Sequence, residues 1–189
     1  EPTTGVFAGA TQAEQPVELG PNSLITVITQ PTSRDVHARA PSWTYIREIL
    51  SRAGLFFVER SPDDLLALAA GPHHPVILLA GDLRLSDAQR QAAAECVKQG
   101  GALIGIGGTS GLDDVFGVQH PSPVAEGWIK VMAPEHRLTA GLRSSLHIFG
   151  GCAVQTTSAA SLAELDAGPQ SVRGSVITEN EFGKGRALL

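Results

Sequence analysis

Cysteine is scarce in this 189-residue chain: only Cys96 and Cys152 occur, and there is no CxxC pair. That count excludes a disulfide-stapled scaffold. Basic runs are missing too. With 14 Lys and Arg against 19 Asp and Glu, the formal net charge is −5. A nucleic-acid partner is not expected, because phosphate binding needs clustered cations. Long apolar runs are also absent. The longest, residues 75–81, has the length of a buried strand, far short of the ~20 residues that span a bilayer. Charged residues make up only 17%. The first residue is Glu1 rather than Met, and no signal-peptide pattern is visible. A cytoplasmic location is favoured, with a removed leader left open.

What is present is a hydrophobic fraction of 42%, with Gly 21 and Pro 12. One domain with a real core and many turns is the expectation. Residues 1–21 read as an N-terminal extension or edge hairpin, and residues 24–29 (LITVIT) as a short β-branched strand. A polar loop over 32–41 follows at its carboxyl end. The spacing of Ile46, Ile49, Leu50 and Ala53 predicts a helix over 42–53, capped by Ser42 and stopped by Gly54. A strand over 55–59 comes next, then Ser61-Pro62-Asp63-Asp64, with Ser61 as cap, starts a short helix that ends at Gly71. Residues 76–80 are a third strand. Ser86 and Gln89 form a capping box for a helix to Lys98, with Cys96 in line with Ala88 and Ala92 on its packed face. Gly100-Gly101 stops that helix before a fourth strand over 102–106.

This alternation argues for a parallel sheet covered on both faces, with right-handed crossovers. After Gly117 the pattern changes. Strands are expected over 128–132, 154–157, 161–165 and 175–179, with a turn-rich loop over 134–142. The fold class is α/β with a strand-rich C-terminal addition.

Parallel strands put their following loops on one edge, so Asp82 and Gly107-Gly108-Thr109-Ser110-Gly111 should share a shallow crevice with the 32–41 loop. The glycine-rich run has three open readings: a tight turn needing positive φ, a ligand-contact loop, or a G-x-T-x-G elbow with Thr109 in the nucleophile place. It lacks the Walker lysine and the GxGxxG spacing, so no nucleotide cofactor is expected. Asp82 can bind a metal or a sugar hydroxyl, or cap a turn. No histidine pair has i, i+4 spacing, and no metal site is expected. His136 and His147 flank one loop and can converge; each also reads as a structural hydrogen-bonding residue. Cys152, after Gly150-Gly151, reads as a nucleophile or as a small packed residue.

The run Ala102-Leu103-Ile104-Gly105-Ile106-Gly107-Gly108 resembles the strand and elbow of class I glutamine amidotransferase-like domains, where the family writes strand–Gly–Ile–Cys–x–Gly. In one register the nucleophile cysteine falls on Gly107, in the other on Thr109. Neither side chain supplies a thiolate. The family's His-Pro-Glu motif has no match, since Glu135-His136 is reversed. The helix and Gly-Gly of residues 86–101 are similar to the non-catalytic branches of the superfamily, among them ThuA-like proteins and the middle domain of some β-galactosidases. His136-Arg137-Leu138-Thr139-Ala140-Gly141-Leu142 resembles their His-Pro-(aliphatic)-Thr-x-Gly-Leu loop, with Arg137 in place of Pro. Phe182-Gly183-Lys184-Gly185-Arg186 resembles the turn into their last strand. The resemblance covers residues 24–189. It implies a three-layer, flavodoxin-like (Rossmann-like), mostly parallel sheet and a lost amidotransferase activity.

The resulting expectation is a domain without glutaminase activity that acts in ligand binding or assembly. Its candidate ligand-binding residues are Asp82, Gly107, Gly108, Thr109, Ser110 and His136. Its expected partners are other modules of a parent protein or a second copy, with a small molecule or sugar as ligand. The rival reading is an enzyme built on Asp82, Thr109, Ser110 and His136, including a carbohydrate-related hydrolase of the ThuA-like kind. Residues 186–189 begin a partner strand and end the chain while it is still apolar, and the expectation is a fragment of a longer protein.

Overall fold

The computed structural model describes residues 25–30, 43–72, 75–166 and 173–189. The expected N-terminal hairpin, the 32–41 loop, Ser42, His73 and His74 lie outside the described residues.

The first half of the chain builds a parallel sheet from β1 (Ile25–Ile28), β2 (Phe57–Arg60), β3 (Val76–Leu79) and β4 (Ala102–Gly105), in the order β2-β1-β3-β4. Successive side chains leave a strand on opposite faces. Val27 and Leu78 therefore pack with Ile46 and Leu50 of α1 (Trp43–Arg52). Ile28, Ile77 and Leu79 pack with Leu65 of α2 (Asp64–Ala70) and with Ala93, Cys96 and Val97 of α3 (Asp87–Lys98). Two-sided burial is why these strands read as continuous apolar runs.

The α3 capping box forms as the sequence predicts: Ser86 Oγ accepts from Gln89 N–H at 3.3 Å, and Gln89 Oε1 accepts from Ser86 N–H at 2.8 Å. The start of α2 differs. Asp63 takes the cap position, and the Asp64 carboxylate reaches back to accept from Ser61 N–H at 2.9 Å and Ser61 Oγ–H at 3.0 Å. A carboxylate is the stronger acceptor, so it reverses the expected direction of the cap.

The second half adds α4 (Asp113–Phe116), β5 (Val118–Pro123), β6 (Glu126–Val131), β7 (Leu146–Phe149), β8 (Cys152–Thr156), β9 (Ala160–Asp166), β10 (Ser175–Phe182) and β11 (Gly185–Leu188). The sheet continues β4-β11-β10-β9-β6-β7, and β8 joins β10 and β5 off this path. β11 lies parallel to β4, whereas β10, β9, β6 and β7 run antiparallel to their neighbours. The whole is a strand-rich mixed α/β sheet with a parallel core, compatible with a flavodoxin-like fold.

Two strands were not legible in the sequence. β5 carries Pro121 and Pro123, which read as turn residues; among the described residues it pairs with β8, across a bulge between Gln119 and Ser122, where proline is tolerated. β7 is four residues long and, among the described residues, pairs with β6 alone. β11 is interior, Ala187 is fully buried, and Leu189 exchanges both backbone bonds with Thr178, at 2.9 and 3.1 Å. No helix among the described residues is long and apolar enough to cross a membrane.

Candidate functional site

The turns after β3 and β4 meet at the carboxyl edge of the parallel core. Ser110 N–H donates to Asp82 Oδ1 at 2.8 Å, and Ser110 Oγ accepts from Leu83 N–H at 2.9 Å. Gly108 lies flat against this staple: a Cβ there would sit 2.5 Å from Asp82 Cβ and Cγ. Thr109 and Ser110 are buried at 3% and 4% exposure, and the Thr109 hydroxyl donates to the Asp113 carboxylate. The polar groups of the turn are thus committed to one another.

The two elbow registers are not equivalent in the structure. Gly107, two residues beyond β4, has φ of 80°, in the left-handed region that a nucleophile elbow uses. Thr109 is not among the positive-φ residues, whereas Ser110 is, at 54°. The helix that should follow an elbow at once begins only at Asp113. The turn is therefore a long loop rather than a sharp strand-to-helix elbow.

Gly107 and Gly108 form one lip of a cleft of about 390 Å³. Ile129, Ile148, Phe149, Val176 and Leu189 supply its apolar lining, and Gly150, Gly151 and Cys152 line it as well. Gly150 and Gly151 have φ of 79° and 139°, which bends the chain sharply between β7 and β8. Burial pushes the Cys152 thiol up; the hydrogen bond from the Ser122 backbone opposes this, and the charges of Asp82 and Asp113 add to it. Cys152 is therefore a thiol at neutral pH rather than a thiolate. Cys96 is a core residue at 2% exposure, in the place its helical spacing assigns.

His136 is placed elsewhere. Its Nε2 lies 3.0 Å from Glu179 Oε2 on β10, and Arg137 and Arg186 donate to Glu179 Oε1 at 3.0 and 3.1 Å. Thr139 is fully buried and its hydroxyl donates to the Ala133 carbonyl, which fixes the 133–142 loop. His147 pairs instead with Glu126 at 2.9 Å. The two histidines flank one loop but meet different carboxylates. The sequence reading missed Glu179 because each of its partners comes from a separate stretch of chain. It also missed Ile129, Ile148 and Val176, for which only the double glycine at 150–151 offered a signal.

Burial disfavours the charged form of Glu179, but hydrogen bonds from Arg137 and Arg186, with the charges of Arg186 and His136, outweigh it and hold the carboxyl below its usual range. A lowered native pKa stabilises the fold above the unfolded value of about 4.3, and that contribution is lost as the pH falls through the native value. Glu179→Gln is expected to be less stable than the parent at neutral pH, with a gap that closes on acidification below about pH 4. Urea unfolding of both proteins across that range checks this. A gap that stays constant with pH would contradict it.

No protein-family model and no curated protein matches the sequence. Solved structures do. The chain is similar to a β-galactosidase from Bacillus circulans sp. alkalophilus, with TM-score 0.64 and 17% identity over 88% of this chain and 28% of that one. A putative ThuA-like protein from Bacteroides uniformis matches with TM-score 0.60 and 15% identity, over 87% and 79% of the two chains. A cytoplasmic protein from Salmonella typhimurium LT2 matches with TM-score 0.61 and 15% identity, over 87% and 85%. The fold is shared with ThuA-like and β-galactosidase structures. At these identities the likeness concerns the fold alone. The chain spans little more than a quarter of the β-galactosidase and most of the other two.

Proposed function

We propose that this chain is a ligand-binding domain of the glutamine amidotransferase-like superfamily, without glutaminase chemistry, that holds a small molecule in the cleft between Gly107-Gly108 and Gly150-Gly151. One observation carries the reading: the elbow position is Gly107, which has no side chain to act as nucleophile. An acyl-enzyme needs an activated nucleophile beside a base. Asp82, Thr109 and Ser110 are held in hydrogen bonds within the turn, and His136 pairs with Glu179 of β10 rather than with Thr109 or Ser110. An apolar cleft with a few polar lips fits binding better. The three-layer form of the fold is supported by α1 packing on one sheet face and α2 with α3 on the other. Service inside a longer protein is supported by the β-galactosidase match, where a domain of this shape is one part of a larger chain.

The test is direct. Glutamate release from glutamine is expected to stay at the buffer level. Release by the parent protein, whether or not Cys152→Ala abolishes it, would sink the reading. Fragment binding followed by ligand-observed NMR should be lost in Cys152→Trp, which fills the cleft. A fragment set that binds equally to both proteins, or to neither, would remove the cleft as the site.

A further inference from the structure

The outer face of the β9-β6-β7 sheet carries an uncommon set of side chains. The ladder pairs Trp128 with His147 on one side and with Asp166 on the other. Lys130 pairs with Glu164, and Glu126 with Phe149. Partners across a ladder share a face, and residues two apart along a strand share it too. All of these side chains therefore stand on one face of the sheet, with Ile129 and Ile148 turned to the other.

Two large aromatics are left open on that face, Trp128 at 49% exposure and Phe149 at 75%. The Trp128 and His147 rings stack at 4.5 Å with an interplanar angle of 15°, and Phe149 leans on His147 at 4.5 Å. A separation of 4.5 Å is close to the spacing between strands, so the indole stands upright on the sheet. Glu126 holds the imidazole in place at 2.9 Å. His147 covers one face of the indole. The other face is turned to the β9 side, above the exposed Asp166 and Glu164. The result is a step with an aromatic wall and a carboxylate floor. At its end, Lys130 also lines an open pocket of about 650 Å³ with Arg143, Ser144 and Ser145.

We propose that this face binds a neutral oligosaccharide, with one sugar ring against the free face of Trp128. The chemistry of the step selects the ligand. The carboxylates of Asp166 and Glu164 repel phosphate backbones and polyanions. Burying them under a lipid or an apolar protein face would leave charges desolvated. A sugar presents both things the step offers to meet: a face of C–H groups for the indole, and hydroxyls that donate to carboxylates and accept from Lys130 and Arg143. Exposed aromatics with charged groups of both signs around them are otherwise a costly surface to maintain. Phe149 borders both this face and the Gly107 cleft, but Trp128, Lys130, Glu164 and Asp166, on which the sugar site rests, do not line that cleft.

Affinity electrophoresis in native gels containing soluble neutral polysaccharides (galactomannan, xyloglucan, mixed-linkage β-glucan) tests the proposal. At least one should retard the protein, and high salt should leave the retardation unchanged because no ion pair carries it. Trp128→Ala should weaken the retardation by about tenfold or more, the equivalent of one lost stacking contact. Asp166→Asn should weaken it several-fold, whereas Trp43→Phe should not, with the same circular dichroism in all three. No retardation by any of the three polysaccharides, or undiminished retardation of Trp128→Ala, would overturn the proposal. Capture of a polylysine peptide that high salt abolishes, without polysaccharide binding, would assign the face to a cationic partner and overturn it as well.

Discussion

Gly185→Ala is expected to lose a large share of the stability of the fold. β11 enters the sheet directly beneath the turn from α3 to β4. A Cβ on Gly185 would lie 2.1 Å from the carbonyl oxygens of both Gly101 and Val97. Both are backbone atoms, so no side chain can rotate away to make room. The hairpin that carries β11 is also tied there, with Lys184 N–H donating to Lys98 O at 2.9 Å and Arg186 N–H to Gly101 O at 3.2 Å. Moving β11 to admit a methyl group breaks these bonds and opens the ladder to β4 and β10 together. Overpacking of this kind costs more than about 3 kcal/mol at a site that cannot yield. That is a large share of the ~5–15 kcal/mol that holds a domain folded. Gly54→Ala is the control, because Gly54 has φ of 67° and no atom within 4 Å of a built Cβ. It carries the strain of a left-handed residue but no clash, at about 1–2 kcal/mol. Thermal and urea unfolding of the two variants should separate them clearly. Equal melts would mean that β11 does not seat under the turn.

Phe116→Ala is expected to cost about 3–5 kcal/mol, and on the order of 10 °C in melting temperature for a chain of this size. Phe116 is fully buried and is the largest of the fully buried side chains. Its ring fills the space beside Gly105: a Cβ there would lie 2.7 Å from Phe116 Cζ. The glycine at the end of β4 and the aromatic at the end of α4 are thus two halves of one packing contact, with Gly105 two residues before Gly107 in the chain. Removing the ring leaves a cavity that the rigid sheet cannot close. The loss should appear in unfolding curves, and crystals of the variant should show the Gly107 turn displaced. A loss below about 1 kcal/mol would mean that neighbouring side chains collapse into the space.

The parallel core was legible because its information is local. The apolar runs of β1, β3 and β4, the Ser86–Gln89 capping box and the helical spacing of Ala92 and Cys96 each lie within a dozen residues. Local signals fail where an element is defined by its partner. β5 holds two prolines and becomes a strand only by lying along β8, and β7 is too short to show a period. The Ser61 cap failed for a different reason: a neighbouring carboxylate competed for the same donors.

The candidate site divides in the same way. That Asp82 and the Gly107–Gly111 run would meet follows from parallel topology, and the 2.8 Å bond between Asp82 and Ser110 N–H joins them. That their polar groups would be consumed by one another does not follow from any spacing. It required the turn to fold over Asp82. The shape of the cleft required β7, β8, β10 and the last residue to arrive from separate parts of the chain. His136 showed the same limit, since the Glu179 that claims it is far along the sequence.

By itself, then, the sequence determined a parallel α/β core, the edge on which its loops gather, and the absence of cysteine from the Gly107–Gly111 run. These depend on side-chain identity and on short-range periodicity. The tertiary structure alone decided the interior position of β11, the commitment of Asp82, Thr109 and Ser110, and the step of Trp128 over Asp166. Each of those depends on contacts between segments distant in the chain, and nothing in a local pattern records which segments will touch.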